Sequence, residues 1–312
     1  MQTRPFKQID VFTAMPYRGN PLAVVLDGTG LSDEDMQQFA QWTHLSETTF
    51  LLPPSAAGQA AGADYRVRIF TPEVELPFAG HPTLGSCHAW LQAGGIPKAG
   101  PEIVQECAKG LIRIRREDPR LAFAAPSLQR SEPDATLLAC VTAALGLQAH
   151  QILAAQQLNN GPVWLGLLLD SPDTVLQLTP DHQALKMAGH MVGVIGVERP
   201  QASGHLIARS NREARAFGAR SATRVDSPPD AAHIEVRAFT APDGIEEDPV
   251  TGSLNASLAQ WLIADGLLPN RYVASQGACL NRNGQVHVAQ DASGQVWVGG
   301  DSVTCIEGQV RL

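Results

Sequence analysis

Three ionisable side chains stand where their surroundings do not explain them: Glu47, His81 and Asp248. Glu47 lies between Leu45 and Phe50 in a segment that otherwise reads as an apolar strand. A carboxyl there either faces water on a sheet edge, which spacing alone favours, or sits buried in a cleft. Burial would raise its pKa toward neutrality and suit it to general acid–base work. His81 and Asp248 each precede a proline and read as N-caps of two helices. Aspartate is among the best caps and needs no further role there. Histidine is a poor one, and an imidazole at a helix start has its pKa lowered by the dipole and can donate or carry a proton.

Other polar residues nearby read more plainly. Glu246 and Glu247 suit a solvated acidic loop. Ser46 and Ser253 suit turn and first-turn hydroxyls, since no Gly-x-Ser-x-Gly surrounds either. Asn160-Gly161-Pro162 reads as a turn before the strand beginning at Val163. Asn255-Ala256-Ser257 matches a glycosylation sequon by accident.

The elements around these residues repeat. Arg68-Ile69-Phe70-Thr71 leads to His81-Pro82-Thr83-Leu84-Gly85-Ser86, and Arg237-Ala238-Phe239-Thr240 leads to Asp248-Pro249-Val250-Thr251-Gly252-Ser253. The loop motifs match at an offset of 167 residues and the strands at 169. Each half therefore reads as strand, loop, a helix with proline at its first position, and a glycine in its first turn. Two such helix starts offer unpaired N–H groups and partial positive charge to a carboxylate or phosphate. Gly85 and Gly252, lacking a Cβ, would let a ligand or partner backbone approach.

Strand-type alternation covers Ile9–Phe12 and Tyr65–Phe70, Leu22–Leu26 is an apolar run, and Ser46–Leu52 is rich in strand formers. Ser32 opens a helix running to about Trp42, with Asp35 completing the cap. Ser55–Ala63 reads as a surface loop. After a helix to Leu91, short strands follow at Leu111–Arg115 and Leu121–Ala125. Pro126–Pro133 is the linker candidate, dividing the chain into 1–126 and 134–312, with the last strands free to pack on the first part. Beyond it come helices at Leu137–Leu147 and Asp181–Met191, and strands at Val163–Leu169 and near Val192, Ile234, Val286, Val296 and Val303. Mixed short strands with few helices predict an α+β fold.

The 312 residues carry a net charge of −8 with 44% hydrophobic and 17% charged side chains, which excludes a disordered chain and a basic nucleic-acid footprint. The longest apolar runs fall short of the ~18 residues of a membrane helix. The first ten residues contain no apolar signal core. Cys87, Cys107, Cys140, Cys279 and Cys305 make neither a disulfide framework nor a zinc spacing. A soluble, reduced, cytoplasmic protein is expected. Dinucleotide-binding, P-loop and zincin motifs are absent from the sequence.

Asp10-Val11-Phe12-Thr13, Gly19-Asn20-Pro21-Leu22-Ala23-Val24, Leu45-Ser46-Glu47-Thr48-Thr49-Phe50, Gly80-His81-Pro82-Thr83-Leu84-Gly85 and Glu247-Asp248-Pro249-Val250-Thr251-Gly252-Ser253 together resemble the PhzF family of phenazine-biosynthesis-like isomerases. Gln276-Gly277 and Val298-Gly299-Gly300 share the likeness. The resemblance implies the diaminopimelate epimerase-like fold: two pseudo-duplicated domains, each a β-barrel-like sheet around a central helix, with the site in the cleft. It implies a cofactor-free and metal-free proton shift between carbons of a small carboxylic acid of the dihydro-3-hydroxyanthranilate type, and a homodimer. Glu47 would be the acid–base, assisted by His81 and Asp248. Ser46, Gly80, Thr251, Gly252 and Ser253 would bind substrate. Racemase cousins use two thiols near the helix starts, where this chain shows Ala79 and Asp248. His-Pro-Thr replaces the more usual His-Ala-Thr, with compatible geometry. An amino-acid racemase, epimerase or dehydratase on the same scaffold, and a non-catalytic binder of small carboxylates, are the alternatives.

Overall fold

The computed structural model describes residues 1–98, 100–117, 119–198 and 233–312. The first half runs β1 (Thr3–Val11), β2 (Asn20–Val25), α1 (Asp33–Thr43), β3 (Glu47–Leu52), α2 (Ala56–Ala60), β4 (Tyr65–Phe70), β5 (Glu75–Leu76), α3 (Gly80–Gln92), β6 (Glu102–Cys107), β7 (Gly110–Glu117), β8 (Arg120–Ala124) and β9 (Gln129–Ser131). The second half runs α4 (Ala135–Ala144), β10 (Ile152–Asn159), β11 (Val163–Leu169), α5 (Pro172–Gln177), α6 (His182–Ala188), β12 (Met191–Glu198), β13 (His233–Thr240), β14 (Ile245–Asp248), α7 (Gly252–Ala264), β15 (Arg271–Gln276), β16 (Gly284–Gln290), β17 (Val296–Gly300) and β18 (Ser302–Arg311).

Strand pairing shows a duplication. From β1 the neighbours are β2 antiparallel, β3 parallel, β4 antiparallel, β6 parallel, then β7 and β8 antiparallel. From β10 they are β11 antiparallel, β12 parallel, β13 antiparallel, β15 parallel, then β16 and β17 antiparallel. The order of senses is identical. Parallel neighbours require crossovers. Here α1 spans the first in one half, and α5 with α6 in the other, while α3 and α7 span the second in each. The halves join where β8 pairs β17 antiparallel. The strand after each then crosses over: β9 pairs β10, and β18 pairs β1. A strand therefore stands in the expected 126–133 linker.

Each half winds its sheet around one helix. In α7, 11 of the 13 residues are buried, so the sheet surrounds it rather than covering one face. Small residues permit this. A Cβ on Gly193 would lie 2.1 Å from Leu254, and one on Gly85 would lie 2.6 Å from Leu22. Gly85 thus serves packing of α3 on β2, not approach of a ligand. Several local expectations hold: Ser32 caps α1 in a capping box with Asp35, and Val163–Leu169 is a strand to the residue. The expected loop at Ser55–Ala63 instead contains α2, because Ser55 caps it and also bonds the Glu106 carboxylate through N and Oγ.

The two helix starts differ from the expected register. The helices begin at Gly80 and Gly252, 172 residues apart, with Ala79 and Thr251 as N-caps. His81 is the second helical residue, and Asp248 ends β14 ahead of the helix, so neither is a cap. Pro82 is the third helical residue, whereas Pro249 precedes its helix. Proline fits anywhere in a first turn, where its missing N–H has no partner to lose, so it does not fix a helix start to the residue.

Candidate active site

The duplicated strands carry matching arginines, and each grips a carboxylate on the following strand. Arg68 holds Glu75 at 2.8 and 2.7 Å, and Arg237 holds Glu247 at 2.9 and 2.8 Å. These pairs anchor the segments leading into α3 and α7. Glu247 is therefore a buried ion-pair partner, not the solvated loop residue its acidic neighbours suggest, while Glu246 is exposed.

Beyond these anchors the two helix starts meet. A Cβ on Gly80 would lie 2.6 Å from the Gly252 α-carbon, so only glycine allows the backbones this close. Neither N-cap contributes a side-chain cap. Two sets of first-turn N–H groups consequently converge without the usual hydroxyl or carboxylate to satisfy them.

A cavity of roughly 190 Å³ opens beside this junction, room for about six waters and so for a small metabolite. Ser46, Glu47, Asp248, Thr251 and Ser253 line it, together with Asp243 and apolar groups including Trp164 and Met191. Gly161 and Pro162 of the predicted turn line it as well. Gly80, His81 and Gly252 stand outside the lining. Among the described residues, three carboxyl groups and no lysine or arginine face the cavity.

Glu47 occupies the first position of β3, paired in parallel with Leu22. Its side chain is 12% exposed, so it belongs to the cleft and not to a wet edge. Burial first, then Asp248 and Asp243, pushes its carboxyl well above the usual range. Among the described residues its Oε2 has no hydrogen-bond partner, and it lies 3.3 Å from His81 Nδ1. Burial lowers the His81 pKa to about 3, against the Pro21 carbonyl, so the imidazole is neutral near pH 7. Burial raises Asp248 to about 6, opposed by hydrogen bonds from Thr251, Asn20 and Ser46. Thr251 Oγ1 donates to Asp248 Oδ2 at 2.6 Å.

Two residues that sequence reasoning did not place at the site hold it together. Asn20 opens β2 and donates from Nδ2 to Asp248 Oδ1 at 2.8 Å and to the Val250 carbonyl at 2.9 Å. Gln276 ends β15, with Nε2 donating to Asp248 O and Thr251 Oγ1, and Oε1 accepting from Thr251 N and Asn255 Nδ2. Both lie in motifs noted in the sequence, and a buried amide beside a proline or glycine turn was the available signal. Asn255 of the sequon is 1% exposed inside α7. Among the described residues no cluster of three or more His, Cys, Asp or Glu is arranged to hold a metal ion. Nor is any described helix long and apolar enough to cross a membrane.

The family model for phenazine biosynthesis-like proteins (PhzC-PhzF) matches residues 9–308. The chain is 34% identical over 99% of its length to antisense-enhancing sequence 1 of Schizosaccharomyces pombe, 99% of which is covered. It is 29% identical over 97% of its length to a trans-2,3-dihydro-3-hydroxyanthranilate isomerase of Pseudomonas aeruginosa, covering 98% of that protein. The solved structure of a Bacillus anthracis phenazine biosynthesis protein of the PhzF family superposes with a TM-score of 0.75 at 21% identity, over 100% of both chains. The α+β fold is that of the PhzF and epimerase-like proteins. With a family match spanning nearly its whole length and relatives named as isomerases, this chain belongs to the phenazine biosynthesis-like PhzF family and is an isomerase.

Proposed function

We propose that the protein moves a proton between carbons of a small carboxylic acid, without a cofactor, using Glu47 as the acid–base. The observation that carries this is the Glu47 carboxyl: held in the cavity wall, with Oε2 unpartnered among the described residues and its acid form favoured by burial. A carboxyl whose acid form burial favours can give a proton and, once ionised, take one. The first-turn N–H groups of α7, where Thr251 and Ser253 line the cavity, would hold the substrate carboxylate, with the Ser46, Thr251 and Ser253 hydroxyls fixing its orientation. A cavity lined by Glu47, Asp243 and Asp248 favours a substrate that also carries an amine. An amine-bearing hydroxy acid of the dihydro-3-hydroxyanthranilate type meets these requirements, and a relative of this chain is named for that substrate.

The opposite wall argues for one acid–base rather than two. Leu22 pairs Glu47 across β2 and β3, and Trp164 pairs Met191 across the duplicated strands β11 and β12. Met191 is thus the counterpart of Glu47, and it lines the same cavity. A thioether cannot exchange protons. The position equivalent to Glu47 thus offers no second base, and the helix starts carry Ala79 and Thr251 in place of thiols. The family resemblance further suggests a cytoplasmic homodimer, which light scattering of the purified protein checks.

The test is turnover. Trans-2,3-dihydro-3-hydroxyanthranilate and a panel of small amino acids are incubated with the enzyme in D₂O and followed by NMR. Deuterium entering one carbon with a shifted double bond supports the isomerase. Loss of optical rotation without bond migration supports a racemase. Binding without exchange of any C–H supports a non-catalytic role.

A further inference from the structure

Gln276 is 1% exposed, and its amide has every hydrogen-bonding position filled. Oε1 accepts from Thr251 N and from Asn255 Nδ2, each at 3.0 Å. Nε2 donates to Asp248 O at 3.1 Å and to Thr251 Oγ1 at 2.9 Å. Two main-chain partners settle which end is which, because the Thr251 N–H can only donate and the Asp248 carbonyl can only accept. Turning the amide over would set like against like at both. The atom facing Thr251 Oγ1 is therefore a donor, and the hydroxyl oxygen accepts from it. The single hydroxyl proton then has Asp248 Oδ2, 2.6 Å away, as its acceptor. That separation falls in the range of O–H donation to an ionised oxygen.

We propose that Gln276 is a positioning residue: by donating to Thr251 Oγ1 it commits the hydroxyl proton to Asp248, which holds Asp248 as the carboxylate and leaves Glu47 to carry the proton of the pair. Asn20 Nδ2 donates to the other oxygen, Oδ1, at 2.8 Å, and Ser46 adds a third hydrogen bond. Glu47 Oε2, in contrast, makes no hydrogen bond among the described residues, with His81 Nδ1 3.3 Å away. Two neighbouring carboxyls do not ionise freely together, and donors decide which goes first. Burial raises Asp248 most, the Thr251 hydrogen bond opposes this more than those of Asn20 and Ser46, and the Glu247 charge raises it further. Thr251 Oγ1 keeps one lone pair, so it meets substrate as an acceptor, which suits an amine or a hydroxyl. The consequence for Glu47 rests on reading it as the acid–base, but the test needs no substrate, so the two can fail separately.

The test labels the aspartate and glutamate carboxyls with ¹³C and follows them by NMR between about pH 4 and 9, with Asp248 and Glu47 assigned from Asp248→Asn and Glu47→Gln samples. In the wild type, Asp248 should titrate at lower pH than Glu47. Thr251→Val deletes the hydroxyl and should move the Asp248 midpoint from about 6 to about 7 or above, and Thr251→Ser should restore it. Gln276→Glu keeps the acceptor used by Thr251 N and Asn255 but sets an oxygen against Oγ1. The hydroxyl proton is then drawn away, and Asp248 should again titrate higher. Added to Thr251→Val, where no hydroxyl remains, the same change should do much less. Gln276→Met, which brings no charge, should raise Asp248 as well. An equal rise from Gln276→Glu with and without the hydroxyl would mean plain charge repulsion and would overturn the proposal. So would an unchanged Asp248 midpoint in folded Gln276→Met, or a wild type in which Asp248 titrates above Glu47.

Discussion

Gly80 and Gly252 touch backbone to backbone: a methyl on the α-carbon of either would lie 2.6 to 2.8 Å from the α-carbon of the other. They are the first residues of the two central helices, so this contact brings two uncapped N-termini to one point. Alanine is ordinarily the better helix former by up to about 1 kcal/mol. Here the neighbour is main chain and cannot rotate away. Overpacking of this kind costs about 1–3 kcal/mol, so it wins. Gly80→Ala and Gly252→Ala should each lower the urea midpoint and reduce turnover, while Gly94→Ala, with open space at its position but a φ of +92°, should lose stability and keep activity.

The two arginine clamps occupy equivalent places but differ in burial. The Arg237 and Glu247 side chains are 5% and 6% exposed, whereas Arg68 is 21% exposed and its partners Asp33 and Glu75 are 77% and 37% exposed. Removing one partner of a buried pair leaves an uncompensated charge and costs about 3–5 kcal/mol. An exposed pair contributes about 0–1 kcal/mol. Arg237→Met should therefore destabilise far more than Arg68→Met in denaturant titrations. Equal losses would mean that the second half tolerates a lone buried carboxylate.

Asp248 links stability to pH. Its folded pKa, about 6, lies above the ordinary 3.8, so the native state binds the proton more tightly than the unfolded chain. Its contribution is fully present below about pH 4 and is lost as pH rises through 6. Asp248→Asn removes this dependence. The stability difference between variant and wild type should move in the variant's favour between pH 4 and 7, measured by denaturant midpoints at each pH.

Asp243 acts on Glu47 at a distance. Burial is the largest cause of the raised Glu47 pKa, and the Asp243 charge adds to it. Asp243→Asn should lower the Glu47 titration point, read from its ¹³C carboxyl signal, and shift the corresponding limb of the pH–rate profile to lower pH. Because burial persists, Glu47 should still titrate above its ordinary 4.5.

Local chemistry was legible where neighbours in sequence decide the outcome, as at the Ser32 cap and the apolar run of β11. The duplication was visible in Arg68 and Arg237 because each clamp is a strand-to-strand contact within ten residues. β6 escaped notice because Gln105 points inward, interrupting the apolar alternation. It is buried against Tyr65 and Thr83, which satisfy its amide. The helix starts were misplaced because the loops into α3 and α7 differ in length while sharing proline. Whether Glu47 faced water or a cleft could not be read from spacing, since the wall opposite it comes from β12, β14 and α7 of the other half.

Hydrogen exchange at substrate carbon in D₂O, comparing wild type with Glu47→Gln on trans-2,3-dihydro-3-hydroxyanthranilate, bears most directly on the acid–base role of Glu47. Glutamine keeps the shape of the side chain and removes its ability to take a proton. Loss of a general acid–base group lowers rate by about 10²–10⁴-fold, so deuterium should enter one carbon with the wild type and fall below detection with the variant. Equal incorporation by the two proteins would contradict the account.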